Sequence, residues 1–412
     1  MVQAITRETL TVLDAEDPLA QCRERFRLPE GIVYLAGNSL GAMPKTVANR
    51  VRRGIEFEWA DGLVRSWNDA DWYLAPQRSG ARIARLVGAA PDEVIVADST
   101  SVNLFKVLVA ALRMRPGRRR ILAEKDGFPT DNYICSAVAG LMGAETQFVE
   151  SENVVDALDE RVAVVALTHV DYRTGRAHDM QAVTEHAHRK GALVVWDLAH
   201  TAGALRCELG ECQVDFAVGC GYKYLNGGPG APGFIFVARR HLSEVRQPLT
   251  GWHGHIRPFE FEAQYTPSEG IARMLTGTAP QIGLFSLEEA LKVFDDIRME
   301  QVHAKSERMT ELFMRLVWQE LKGFGFRIVT PLESGRRGSQ VSMTHAQGYP
   351  IVQAMIARGV IGDFRAPSTL RFGLAALYLK FVEIWEAVVA LREIMERRAW
   401  DTPELRQRQL VT

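Results

Sequence analysis

Ala192-Leu193-Val194-Val195-Trp196-Asp197-Leu198-Ala199-His200, followed by Val214-Asp215-Phe216-Ala217-Val218-Gly219-Cys220-Gly221-Tyr222-Lys223-Tyr224, decides the fold. Each stretch carries a short, nearly unbroken apolar run, which is how a strand buried on both faces reads. The first run closes on an acid, Asp197, and the second opens into a glycine-rich loop around Lys223. Working outward, residues 93–97, 120–123 and 162–167 are further runs of this kind, and helical segments such as 179–190 separate them. Alternation of this sort predicts an α/β domain on a mostly parallel sheet, with helices as crossovers. From Phe285 the text changes. Leu287, Leu291 and Phe294 recur at helical spacing. Strand-like pieces follow at 326–329 and 340–343. A closing helix puts Phe381, Ile384, Trp385, Val388, Leu391 and Met395 on one face. The expected organisation is an arm over 1–45, a large domain over 46–284 and a smaller α+β domain over 285–412.

Composition narrows the function. The 412 residues are 47% hydrophobic and 24% charged, enough for two cores. A net charge of −1 offers no field for nucleic acid or an anionic membrane, so neither is expected as a partner. No apolar run is long enough to span a bilayer. The polar start, Met1 to Glu8, does not read as a signal peptide. Five scattered cysteines (Cys22, Cys135, Cys207, Cys212 and Cys220) form no CxxC pair, which fits a reducing cytoplasm and argues against a metal site.

The chemistry lies at the strand ends. An acid at the carboxyl end of a parallel strand points into the crevice where such sheets bind ligands. A lysine in a glycine-rich loop after the next strand can meet the same ligand closely. Together they suit a pyridine ring whose nitrogen must stay protonated and whose aldehyde must form an imine with an amine. Taken alone, Asp197 could equally cap a helix and Lys223 could be one more surface lysine. His200 lies close after Asp197, and Tyr222 can offer a phenol or simply pack. Asp98-Ser99-Thr100-Ser101 opens a helix after a strand, a place where backbone N–H groups collect an anion such as a phosphate. Phe128-Pro129-Thr130-Asp131 follows another strand. Phe128 can stack on a ring or join the core, and Asp131 can bond the cofactor or orient the substrate. Arg371, in a strand-like piece, can grip a carboxylate bidentately or sit in a surface ion pair.

These pieces, with Gly251-Trp252-His253-Gly254-His255 and Leu35-Ala36-Gly37-Asn38-Ser39-Leu40-Gly41, resemble the kynureninase family over about 34–374. That family belongs to the fold type I (aspartate aminotransferase-like) superfamily of pyridoxal 5′-phosphate enzymes. The resemblance implies a seven-stranded, mostly parallel sheet sandwiched by helices. It also implies a homodimer with the active site shared across the interface. Lys223 would carry the cofactor's imine, Asp197 would pair with the ring nitrogen beside His200, and Phe128 would stack on the ring. Pro129, Thr130 and Asp131 belong to the same cofactor loop. Thr100, Ser101 and Tyr222 would hold the phosphate, and Thr168 matches a further cofactor-side position. Trp252 and Thr278 would complete the site from the neighbouring subunit. Asn38 and Ser39 would line the substrate pocket, and Arg371 would take the α-carboxylate.

The implied reaction is hydrolysis of L-kynurenine to anthranilate and L-alanine, in tryptophan breakdown, with 3-hydroxy-L-kynurenine as a second substrate. Tyr222 is the candidate acid beside Lys223 and Asp197. The sequence departs from the family in two places. Thr278 stands where some members have asparagine. A histidine that some relatives place in the aromatic pocket has no match, and Trp67 or Trp72 could fill that space. A class V transaminase would use Lys223, Asp197 and Arg371 equally well. A desulfurase would need a thiol downstream of the lysine, and none follows Cys220. A cofactor-binding regulator would lack the lysine or carry a basic extension, and neither holds.

Overall fold

The structure, a computed structural model, describes residues 4–409. Met1 to Gln3, part of the polar N-terminal stretch, lie outside the described residues. The seven strands of the main sheet are β1 (Val94–Ala97), β2 (Arg120–Glu124), β3 (Glu145–Val149), β4 (Val162–Thr168), β5 (Leu193–Asp197), β6 (Phe216–Cys220) and β7 (Gly233–Val237). Their order is β1-β7-β6-β5-β4-β2-β3. The five strands from β6 to β3 run parallel, while β7 is antiparallel to both β6 and β1. Every residue of β1, β2 and β4 to β7 is buried, which is why these strands read as unbroken apolar runs rather than alternating ones. The edge strand β3 is half-exposed and carries Thr146 and Gln147.

Chain direction across this sheet fixes where a ligand can sit. From β2 the chain moves outward to β3, then returns past β2 to β4 and continues the other way through β5 and β6. The crevice at such a reversal, at the carboxyl ends of the strands, is the natural binding place of an open α/β sheet. Here it falls between the ends of β2 and β4. Thr168 ends β4 in register with Asp197, which ends β5.

Beneath this edge the start of β6 is anchored by a buried acid. Asp215 accepts the Val194 N–H at 2.8 Å and an Arg240 N–H at 2.6 Å, and lies 2.8 Å from ring nitrogens of both His188 and His241. Burial alone would raise its pKa, but these partners win and hold the carboxyl below its ordinary range.

A second, four-stranded antiparallel sheet holds β8 (Arg327–Ile328), β9 (Gln340–Thr344), β10 (Asp363–Arg365) and β11 (Thr369–Gly373), in the order β10-β11-β9-β8. The helices Met299–Glu320 and Phe381–Glu396 pack together through faces that include Val302, Met309, Phe313, Ile384, Val388 and Leu391. The N-terminal arm is tied to this part of the chain. Val33–Tyr34 pairs in parallel with Val360–Ile361. Asp14 accepts the Phe381 and Val382 N–H groups at 2.6 and 3.0 Å, an N-cap supplied from far along the chain. Arg23 grips Glu383 with two N–H groups at 2.9 and 2.7 Å. No helix among the described residues is long and apolar enough to cross a membrane.

Candidate active site

A cleft opens at the reversal point, lined by Ser99, Thr100, Ser101, Phe128, Asp131, Thr168, Tyr172, Asp197, Ala199, His200, Tyr222 and Lys223. Its walls come from five strand ends. After β1 the chain turns into the helix Thr100–Arg113, capped by Ser99, whose Oγ accepts the Val102 N–H at 3.4 Å. The Thr100 and Ser101 amides precede the first helical bond and donate no hydrogen bond among the described residues. Gly233 lies against this turn. A Cβ there would come within 3.0 Å of the Thr100 nitrogen, so any larger residue would crowd the amides.

After β2 comes the helix Pro129–Met142. Phe128 is its extended N-cap, and Pro129 occupies the start, where a missing N–H costs nothing. This entry leaves Phe128 and Asp131 facing the cleft, while Pro129 and Thr130 do not line it. Asp131 sits in the first turn, where a helix favours an acid.

Two carboxyls meet on the floor. Asp197 is buried and accepts the Ala199 N–H at 2.7 Å. Asp131 hydrogen-bonds to it, and Thr168 donates to Asp131 at 3.4 Å. Burial raises both pKa values. The Asp197 charge lifts Asp131 further, whereas Lys223, the Ala199 N–H and the Asp131 hydrogen bond restrain Asp197. Two like charges this close cannot both be kept, so Asp131 carries the proton and donates it to the Asp197 carboxylate. His200 is buried, its Nδ1 has no partner among the described residues, and burial with the positive field of Lys223 and Arg371 holds the ring well below its ordinary pKa, hence neutral. Lys223 Nζ lies 5.8 Å from the centre of the Tyr222 ring and has no hydrogen-bond or ion-pair partner among the described residues. Burial, followed by the nearby Cys220 and Asp197, pushes the Tyr222 phenol well up, so it keeps its proton.

The N-terminal loop reaches this loop directly. Gly41 N–H donates to the Tyr222 carbonyl at 2.9 Å, and a Cβ on Gly41 would meet the Lys223 carbonyl at 2.2 Å. Asn38, buried, donates to Gln340 at 2.8 Å, and its backbone faces the His200 ring. Ser39 donates to Asp363. Arg371 is only 2% exposed, and Asp363 takes it on two nitrogens, Nε at 2.6 Å and Nη2 at 2.5 Å. The Tyr172 carbonyl accepts from Nη1 at 2.6 Å, and Ser39 Oγ accepts from Nη2 at 3.2 Å. Tyr172 also meets Phe128 edge-on at 5.3 Å, joining the arginine to the cleft wall.

The cleft of one chain therefore gathers Thr100, Ser101, Phe128, Asp131, Thr168, Asp197, His200, Tyr222 and Lys223, with Asn38, Ser39 and Arg371 bonded behind it. Trp252 and Thr278 do not line it. Trp252 stacks on His253 at 4.8 Å and meets Trp67, Tyr73 and Phe259. Thr278 is exposed. Trp67 and Trp72 pack edge-on at 6.0 Å in the same aromatic group and stay out of the cleft. Sequence reasoning missed Tyr172 and Asp363. Among the described residues no group of three or more His, Cys, Asp or Glu side chains could hold a metal ion.

Comparison with known proteins gives the family and the fold. The family described as "Kynureninase C-terminal domain" matches residues 302–391. Kynureninase of Burkholderia mallei (strain SAVP1) is 47% identical over 99% of this chain and 100% of its own length. The chain belongs to the kynureninase family. Kynureninase of Pseudomonas fluorescens is 48% identical over the same shares of each chain. Among solved structures, a cysteine desulfurase from Thermococcus onnurineus NA1 superposes with a TM-score of 0.77 at 15% identity, covering 92% of this chain and 98% of its own. A kynureninase-family chain thus shares the fold type I architecture, including the mostly parallel sheet, with a desulfurase.

Proposed function

We propose that the protein binds pyridoxal 5′-phosphate in this cleft and hydrolyses L-kynurenine to anthranilate and L-alanine, with 3-hydroxy-L-kynurenine as a further substrate. The observation that carries the reading is the meeting of Lys223 with the Asp131–Asp197 pair in one cleft of a kynureninase-family chain. The residues suit the cofactor at every end. Free helix-start amides at Thr100 and Ser101 suit a phosphate. The acid pair suits a protonated ring nitrogen. His200 Nδ1, buried without a partner, suits a polar group delivered by a ligand, since such atoms are rarely left alone.

When bound, the cofactor supplies an electron sink next to the substrate's α-carbon. The remaining work falls to this chain. Lys223 would take the proton from the α-carbon and return it. Asp197, bonded to Asp131, would hold the proton on the ring nitrogen. Phe128 would cover the ring face and keep water off it. Arg371, held by Asp363, would orient the α-carboxylate. After water adds to the aryl ketone and the C–C bond to that carbon breaks, leaving it as the anthranilate carboxylate, Tyr222 would deliver a proton at the β-carbon.

Tyr222→Phe should lower turnover by about 100- to 10,000-fold, the usual worth of general acid–base help. Cofactor colour should survive. Colour lost with activity would make Tyr222 a structural residue.

Cys220 argues against desulfurase chemistry. The only thiol near the lysine is buried, points at the Ala199 carbonyl at 3.9 Å, and is raised above its ordinary pKa chiefly by burial. Exposed thiolates make nucleophiles, and this thiol is buried. Purified protein given L-kynurenine and no keto acid should release fluorescent anthranilate. A requirement for a keto acid would mean a transaminase and end the proposal.

A homodimer with a shared site is part of the same reading. Phe57, Trp59, Leu63 and Val64 (77% exposed) lie outside on one segment, and Phe259 and Phe261 (80% exposed) on another. Trp252 meets Trp67 from the first region and Phe259 from the second, so the two adjoin. Apolar surface of this extent supports an interface between copies, which would bring Trp252 and Thr278 to a neighbour's cleft.

A further inference from the structure

Lys106 lies outside the cleft, and no step of the proposed reaction uses it. It sits in the helix Thr100–Arg113 and is wholly buried. Its side chain runs back along the helix, as helical side chains do. The ammonium donates to the Asp98 carboxylate at 2.5 Å and to the Met274 carbonyl at 2.9 Å. Asp98 immediately precedes Ser99-Thr100-Ser101. Its φ is +37°, a left-handed backbone uncommon for any residue but glycine, and its carbonyl accepts the Gly233 N–H at 2.7 Å.

A buried lysine is a costly way to fill space. A methionine of similar length would pack there without desolvating a charge. What the ion pair adds is geometry. Asp98 lies in the turn between β1 and the helix, just before the Thr100 and Ser101 amides. Lys106 grips this turn from inside the helix that those amides begin. The Met274 carbonyl fixes the ammonium on its other side.

We propose that Lys106 is a positioning residue that acts through Asp98 to set the turn gripping the cofactor's phosphate. The inference rests on the cofactor reading above. It differs from a general stabilising role in one measurable respect: only the phosphate end of the ligand should feel its loss.

Apoprotein carrying Lys106→Met, and separately Asp98→Asn, is titrated with pyridoxal 5′-phosphate and with pyridoxal, which lacks the phosphate, by quenching of tryptophan fluorescence. Asp98→Asn leaves Lys106 bonded to Met274, so it serves where Lys106→Met folds poorly. Each variant should bind the phosphorylated ligand about tenfold or more weakly, the worth of one charge-assisted contact, while pyridoxal affinity stays within about twofold. An equal loss for both ligands, or no loss for either, overturns the inference. Wild-type protein that holds the two ligands equally would overturn the cofactor reading itself, and this inference with it.

Discussion

Lys223→Ala is expected to abolish kynurenine hydrolysis, with turnover falling by about four orders of magnitude or more, as when an enzyme loses its principal reacting group. The protein should nonetheless fold. Lys223 has no hydrogen-bond or ion-pair partner among the described residues, so its removal breaks no bonded network. The stability change should stay within about 1 kcal/mol. A lysine held in a bonded network, as Lys106 is by its two partners, should instead cost stability when removed. Small primary amines added to Lys223→Ala should restore part of the turnover, because what is missing is an amine at one place. Circular dichroism and thermal melting check the fold, and anthranilate fluorescence checks the rate. A variant keeping more than about one hundredth of wild-type turnover would remove Lys223 from the chemistry.

Why Lys223 and Asp197 could be found in the sequence, and Tyr172, Asp363 and Lys106 could not, has a physical basis. Asp197 ends β5, and Lys223 follows β6, strands whose residues are all buried. In a parallel sheet, strand ends are where side chains enter the crevice, so position in the sequence already implies position in space. The same logic reached Thr100 after β1 and Phe128 after β2, while Thr168 at the end of β4 came only from the family resemblance. Asp363 obeys a different rule. It faces Arg371 because the hairpin of β10 and β11 pairs them in register. That register depends on the turn between the strands, and shifting it by one would point Asp363 the other way. Tyr172 contributes its backbone carbonyl, which no side-chain pattern advertises. Lys106 is a charged residue on a helix whose other buried positions, Asn103 apart, are apolar. Only the path of the preceding turn shows why a charge sits there. Trp252 and Thr278 stay out of their own chain's cleft, and it is the family resemblance, not the motif itself, that assigns them to a neighbour's.

Arg371→Met should cost both stability and substrate binding, and the two losses can be separated. Asp363 is buried. Burial alone would raise its pKa, yet the Arg371 hydrogen bonds and charge hold it below the ordinary range. Removing the arginine leaves this carboxylate with Ser39 and, at 3.5 Å, Arg365. Stranding a buried charge typically costs about 3–5 kcal/mol. In wild type the lowered pKa means that Asp363 adds stability above its unfolded pKa, and this is lost as pH falls through the folded value. In Arg371→Met the shift reverses. The folded pKa rises, so the deficit should be largest near neutral pH and should shrink as acid neutralises Asp363. The double variant Asp363→Asn with Arg371→Met carries no stranded charge and should recover much of the melting temperature at pH 7. It should not recover binding. With no guanidinium cation behind the substrate's carboxylate, KM for kynurenine should stay about 100-fold or more above wild type in both variants. Denaturation across pH and steady-state kinetics read the two effects independently. A double variant with wild-type KM would show that Arg371 serves Asp363 rather than the substrate. A single variant as stable as wild type would show that the buried pair is not coupled.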